Sequence, residues 1–154
     1  MSPRRQRIEK VVQHRGKELD KRITELNEQK NREEAARLAA EQQRLEALRA
    51  SETRLKLAEA PLTANDWIAA NEWLKSRDAL AEIAETQAIK ARLGTQKARA
   101  HVMTARTDLK KVEVLSARID AEERAQQERA ARRLEDELAA QRFFADRRED
   151  SRDK

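Results

Sequence analysis

The sequence contains no cysteine and no tyrosine, and only two glycines, two prolines, two tryptophans and two phenylalanines in 154 residues. Without cysteine there is no disulfide framework, and the chain suits a reducing compartment. With aromatics at 3%, too few bulky side chains exist to fill a thick core. No apolar run exceeds four residues, so no segment is expected to span a membrane. The opening MSPRRQRIEKVV is basic and lacks the apolar stretch of a signal peptide. A cytoplasmic protein is the simplest expectation. The scarcity of glycine and proline also argues against disorder, the first alternative for so polar a chain.

What is present points to helix. Charged residues make up 41% of the chain, and Ala, Leu, Glu, Arg, Lys and Gln dominate the composition. These are the strongest helix formers, and in regular periodicity they read as long helix or coiled coil. Lys and Arg (34) alternate with Asp and Glu (29), leaving a net charge of +5 and a pI near 9.7. Mixed signs describe solvated helix faces with i,i+4 pairs and only weakly suggest a polyanion site.

Two breakers organise the chain. Pro3 occupies a tolerated first-turn position, and Pro61 disfavours helical geometry at Ala60. A single hairpin over 1–154 is therefore predicted: a first helix over about 4–59, a turn over about 60–64 and a second helix over about 65–147. Thr63 with Asp66 forms a candidate capping box, and Asn65 is a competing N-cap. The fold class is all-α, a long antiparallel two-helix coiled coil whose second helix is longer and overhangs at its C-terminal end.

The second helix carries a sustained heptad. With Trp67 at a, the a positions continue through Leu74, Ala81, Ala88, Thr95, Val102, Leu109 and Ser116. The d positions run Ala70, Arg77, Ala84, Ala91, Ala98, Ala105, Val112 and Ile119. A strict seven-residue repeat implies a left-handed supercoil with a partner. The first helix offers Ile8, Val11, Val12, Leu19, Ile23 and Leu26, then Leu38, Leu45, Leu48 and Leu55, with a heptad that slips across NEQKNREEAAR. Reversal at Pro61–Thr63 places residue i near residue 125−i. Ile8 and Val12 should then meet Val112, Leu115 and Ile119, Leu45 should lie near Leu80, and Leu55 near Ala70. Helix 1 can cover helix 2 only to about Glu122, so residues 123–148 should project as a single helix.

No motif carries chemistry. There is no phosphate-binding glycine loop, no metal-ligand spacing and no nucleophile beside a base, so no catalytic residue, cofactor or metal is assigned. His14 and His101 fall about ten residues out of register, which suits solvated surface. Trp67 and Pro61 are assigned to packing at the turn, against Leu55 and Leu57. Trp73 lies off the seam, where an exposed aromatic suits partner contact as well as local packing. The basic groups Arg4, Arg5, Arg7, Lys10 and Arg129, Arg132, Arg133 lack interleaved aromatics, so nucleic acid or anionic membrane is the weaker partner class.

The stretch from NDWIAANEWL onward, with ARTDLKKVEVLSARIDAEERAQQERAARRLEDELAAQRF, resembles the FliJ/YscO family of bacterial type III export proteins. The resemblance rests on Trp67 and Trp73 just past the turn and on Val112-Glu113-Val114-Leu115. The ending Asp136-Glu137-Leu138-Ala139 with Arg142 completes it. It implies a helical hairpin acting as a non-enzymatic stalk. Paired termini would enter the hexameric export ATPase and stimulate it, and the turn end would contact the export-gate membrane protein. Substrate chaperones would be further partners, and the protein would be peripheral to the inner membrane through the export apparatus. Carried onto this chain, the ATPase-facing residues are Ile8, Val11, Val12, Leu134, Asp136, Glu137 and Leu138, and the gate-facing residues are Trp73 and Leu80. Arg77 stands where an apolar gate contact is expected. Flagellar and injectisome systems both remain open on this resemblance, as does a generic coiled-coil scaffold.

Overall fold

A computed structural model describes residues 1–152 as two helices, α1 (Pro3–Leu57) and α2 (Ala64–Arg152), with no strand among the described residues. The chain folds as a two-helix hairpin. Ser2 caps α1: its Oγ accepts the Arg5 amide at 3.1 Å while its carbonyl accepts the Gln6 amide at 3.0 Å, with Pro3 at the first helical position. The last turn of α1 tightens through amide bonds from Glu59 and Ala60 to the carbonyls of Lys56 and Leu57, both at 3.2 Å. It therefore stops at Leu57, two residues before the expected end. Thr63 and Asp66 form the reciprocal capping box, each side chain accepting the other's amide at 3.2 Å. At the far end α2 continues to Arg152, past the expected stop near Arg147, because no breaker follows Phe144.

Cα packing divides the chain into two compact units, Lys17–Thr107 and Met1–Gly16 with Asp108–Lys154. Within each, an α1 segment runs antiparallel to an α2 segment. Every a and d position assigned between Trp67 and Ile119 is buried or half-buried, so the second-helix seam is the one expected. In α1 the shielded positions alternate by four and three from Ile8 through Arg54 without interruption. The expected slip across NEQKNREEAAR does not occur. What changes there is the side chain, not the register: the seam becomes Gln29, Glu33, Ala36, Ala40, Gln43, Ala47 and Ala50. Ala81, Ala84, Ala88 and Ala91 line the facing α2 stretch, and the leucines of this half fall outside the continuous α1 frame. Leu38, Leu45, Leu48 and Leu55 are 45–67% exposed, and Leu80 is 43% exposed. At the expected Leu45–Leu80 and Leu55–Ala70 levels the α1 seam is held instead by Gln43, Ala47 and Arg54.

The register itself holds in both units. In the 17–107 unit, Arg77 pairs with Glu46 at 3.1 Å and Thr95 Oγ1 lies 3.3 Å from the Gln29 carbonyl. In the other unit Arg5 pairs with Asp120 at 3.0 Å. Thr95 is a polar side chain buried to 2% exposure, and its hydroxyl also reaches the Ala91 carbonyl at 3.2 Å, so it is satisfied by backbone acceptors alone. Gly94 beside it allows Gln29 to approach: a Cβ there would come within 2.9 Å of Gln29 Oε1, whereas nothing lies within 4 Å of one at Gly16. Gly16→Ala should accordingly raise stability by about 1 kcal/mol, the ordinary glycine penalty in a helix. Gly94→Ala should gain less, because Gln29 must move aside. Thermal melts followed by circular dichroism would rank the two.

Candidate partner-binding surfaces

In the unit built from the two terminal segments, the start of α1 is clipped onto α2. Ser2 Oγ hydrogen-bonds Glu123, Arg4 pairs with Glu122 at 3.0 Å and Arg5 with Asp120 at 3.0 Å. From the sequence, Arg4 and Arg5 are only members of a basic group at the N-terminus. The 125−i register would have found their partners, since it points Arg5 at residue 120. Each such pair is exposed enough to contribute only ~0–1 kcal/mol, so the clip positions the terminus more than it stabilises it. It also neutralises part of the basic N-terminus, which weakens the polyanion reading.

Of the residues assigned to this end, Ile8 is buried on the seam with Ile119, and Val12 is half-buried behind it. Val11 is exposed on the wall of a shallow groove of about 600 Å³ that Pro3, Ile8 and Ile119 also line. Leu115, expected against Ile8, stays exposed one position off the seam. The last shielded residue of α2 is Glu123; every described residue from Arg124 to Arg152 is exposed. Leu134, Asp136, Glu137 and Leu138 all lie on this solitary helix, with the two leucines one turn apart on one face. Farther along, Phe143 and Phe144 stack edge to face at 5.8 Å, and the Arg147 guanidinium covers the Phe143 ring at 5.0 Å.

In the 17–107 unit, Trp67 takes its seam position half-buried, with the Arg54 guanidinium 5.6 Å from its ring centroid. Its staple across the turn is therefore Arg54, the α1 seam residue, while Leu55 points outward. Pro61 is exposed in the short connection between the helices. Trp73 and Leu80 are seven residues apart on one face of α2, 41% and 43% exposed. Arg77 lies between them in sequence but turns onto the seam, where Glu46 neutralises it. A charge at that position therefore leaves Trp73 and Leu80 as an apolar outer pair. Elsewhere on α1, Arg37 hydrogen-bonds Glu34 at 2.8 Å and holds its carboxyl below the usual range, an exposed pair typical of a solvated face. Among the described residues no cluster of three or more His, Asp or Glu could hold a metal, and no helix is long and apolar enough to cross a membrane.

The model of the family described as Flagellar FliJ protein matches residues 4–148. The chain belongs to the FliJ family. Comparison with curated proteins and with solved structures returns no match. Family membership makes this FliJ-family chain a component of the flagellar export apparatus and agrees with the resemblance seen around the two tryptophans. The match also takes in nearly all of α1, where sequence reading found likeness in length and character only.

Proposed function

We propose that this FliJ-family chain is the stalk that couples the export ATPase to the export gate. Its clipped N-terminus and solitary C-terminal helix enter the ATPase ring, through Val11, the Ile8–Val12 seam end, Leu134 and Leu138, with Asp136 and Glu137 facing basic groups of the ring. Trp73 and Leu80 meet the gate protein, and substrate chaperones bind the exposed helix faces. The protein works in the cytoplasm, held near the inner membrane by these partners. It performs no chemistry of its own; stimulation arises from differential contact with successive states of the ring.

The observation that carries this reading is the solitary helix. A stretch this polar gains little from propensity alone, since packing supplies most helical stability. Its leucines and phenylalanines have no partner helix along the described residues past Glu123, which suits a segment that completes its packing inside another protein. Titrating the export ATPase with the full chain should give saturable stimulation of ATP hydrolysis. A flat response from a folded sample would remove the stalk reading.

A further inference from the structure

One stretch of α2 departs from the even mixing of charge. Between Thr86 and Thr107 there is no Asp or Glu, while Lys90, Arg92, Lys97, Arg99 and Arg106 all occur there. Each of these cations is exposed, and no ion pair among the described residues involves any of them. The same stretch carries a second, partly apolar line. Ile89, Leu93, Gln96, Ala100, Met103 and Thr107 follow one another at steps of four and three, and every one is exposed. Its large members Ile89, Leu93 and Met103 are 52%, 50% and 63% exposed. In the heptad frame set by Trp67 these are b and f positions, on the side of α2 turned away from its a and d seam. Arg92, Arg99 and Arg106 fill the e positions along one border of this line, and Lys90 and Lys97 take c positions along the other.

From this arrangement we propose that the 86–107 face of α2 docks an acidic amphipathic α-helix of a protein partner, laid along it as a third helix of the coiled coil. A line of side chains at steps of four and three is the repeat into which another helix sets its own knobs. Positions bordering such a line select the partner by charge. Here both borders are basic, so carboxylates at the bordering positions of the incoming helix are the complement. No acidic group of the chain pairs with these cations, so the incoming carboxylates displace no existing partner. The make-up of the line favours a helix over a lipid surface. Gln96, Ala100 and Thr107 interrupt it and no aromatic lies within 86–107, whereas a helix lying on a membrane buries a broad, bulky apolar face. Nucleic acid fits less well, because Ile89, Leu93 and Met103 would gain nothing against a phosphate backbone. None of the residues assigned to the ATPase or the gate belongs to this face, so the proposal stands or falls apart from the stalk reading.

The test uses the full chain and a fluorescent peptide of about four heptads, with leucine at its core positions and glutamate at both borders. Such a peptide repels itself and stays unfolded alone, so binding should appear as a rise in anisotropy together with a gain of helicity. The same peptide with lysine at the borders should not bind. Arg92→Glu, Arg99→Glu and Arg106→Glu combined should weaken binding about tenfold or more by turning one border repulsive. Ile89→Ser, Leu93→Ser and Met103→Ser combined should do the same at unchanged charge, which separates a packed seam from simple attraction. Both triple variants should melt within about 2 °C of the parent chain, because all six residues lie off the α1–α2 seam. Reversing Arg129, Arg132 and Arg133 to Glu should leave binding unaltered. Equal binding of the two peptides, binding indifferent to either triple change, or preference of the chain for phosphatidylglycerol vesicles or single-stranded RNA over the acidic peptide would each overturn the proposal.

Discussion

Ala98→Asp should destabilise the chain by about 3 kcal/mol, lowering the melting midpoint by about 10 °C, while Leu48→Asp in dilute solution should move it by no more than a degree or two. The contrast runs against residue size. Ala98 is 8% exposed on the α2 seam, where a carboxylate would be largely desolvated. Leu48 is 57% exposed on the outer face of α1, so a carboxylate there replaces surface that water already reaches. Circular dichroism melts of both variants at low concentration measure the difference. Equal losses would mean that the leucines, not the alanines, carry the pairing.

That contrast also marks where the sequence was readable. The α2 heptad could be assigned because its a and d positions keep to one frame over eight repeats, with Trp67, Leu74, Val102, Val112 and Ile119 as markers. The breaker at Pro61 and the box of Thr63 and Asp66 then fixed the reversal and its register. In α1 the same logic misled. Large apolar residues are the usual sign of a buried face, and after Leu26 the largest ones leave the seam. The frame never shifts, but its occupants become Gln29, Glu33, Ala36 and Ala40, which carry no hydrophobic signal. The missing information was relational: the α1 frame is set by the facing α2 seam, alanine-lined from Ala81 to Ala91, and not by where the leucines of α1 fall.

The candidate surfaces divide in the same way. Trp73 and Leu80 were legible because they break the α2 heptad and stand outside it. The clip made by Ser2, Arg4 and Arg5 was not read, although the register alone pointed to Asp120 and its neighbours. The role of Arg77 needed the structure, since a charged residue at a d position is interpretable only once Glu46 is seen opposite it.

Truncation after Arg129 should abolish stimulation of the export ATPase while leaving the melting midpoint within about 3 °C of the full chain. The two halves of this prediction rest on one boundary. Every shielded residue of α2 lies at or before Glu123, so the shortened chain keeps its whole seam, including Ile119 and the partners of Arg4 and Arg5. What it loses is Leu134, Leu138 and the Phe143–Phe144 pair, all exposed on the solitary helix. A full-length control with Leu134→Ser and Leu138→Ser should lose most of the stimulation as well, separating side-chain contact from mere length. Amide exchange supplies an independent reading. Residues 124–152 have only their own helical bonds to protect them, so they should exchange far faster than the paired segments and slow when the ATPase is added. Full stimulation by the truncated chain would move the ATPase contact to the clipped N-terminus; a collapse of the melting midpoint would mean that the overhang helps hold the hairpin together.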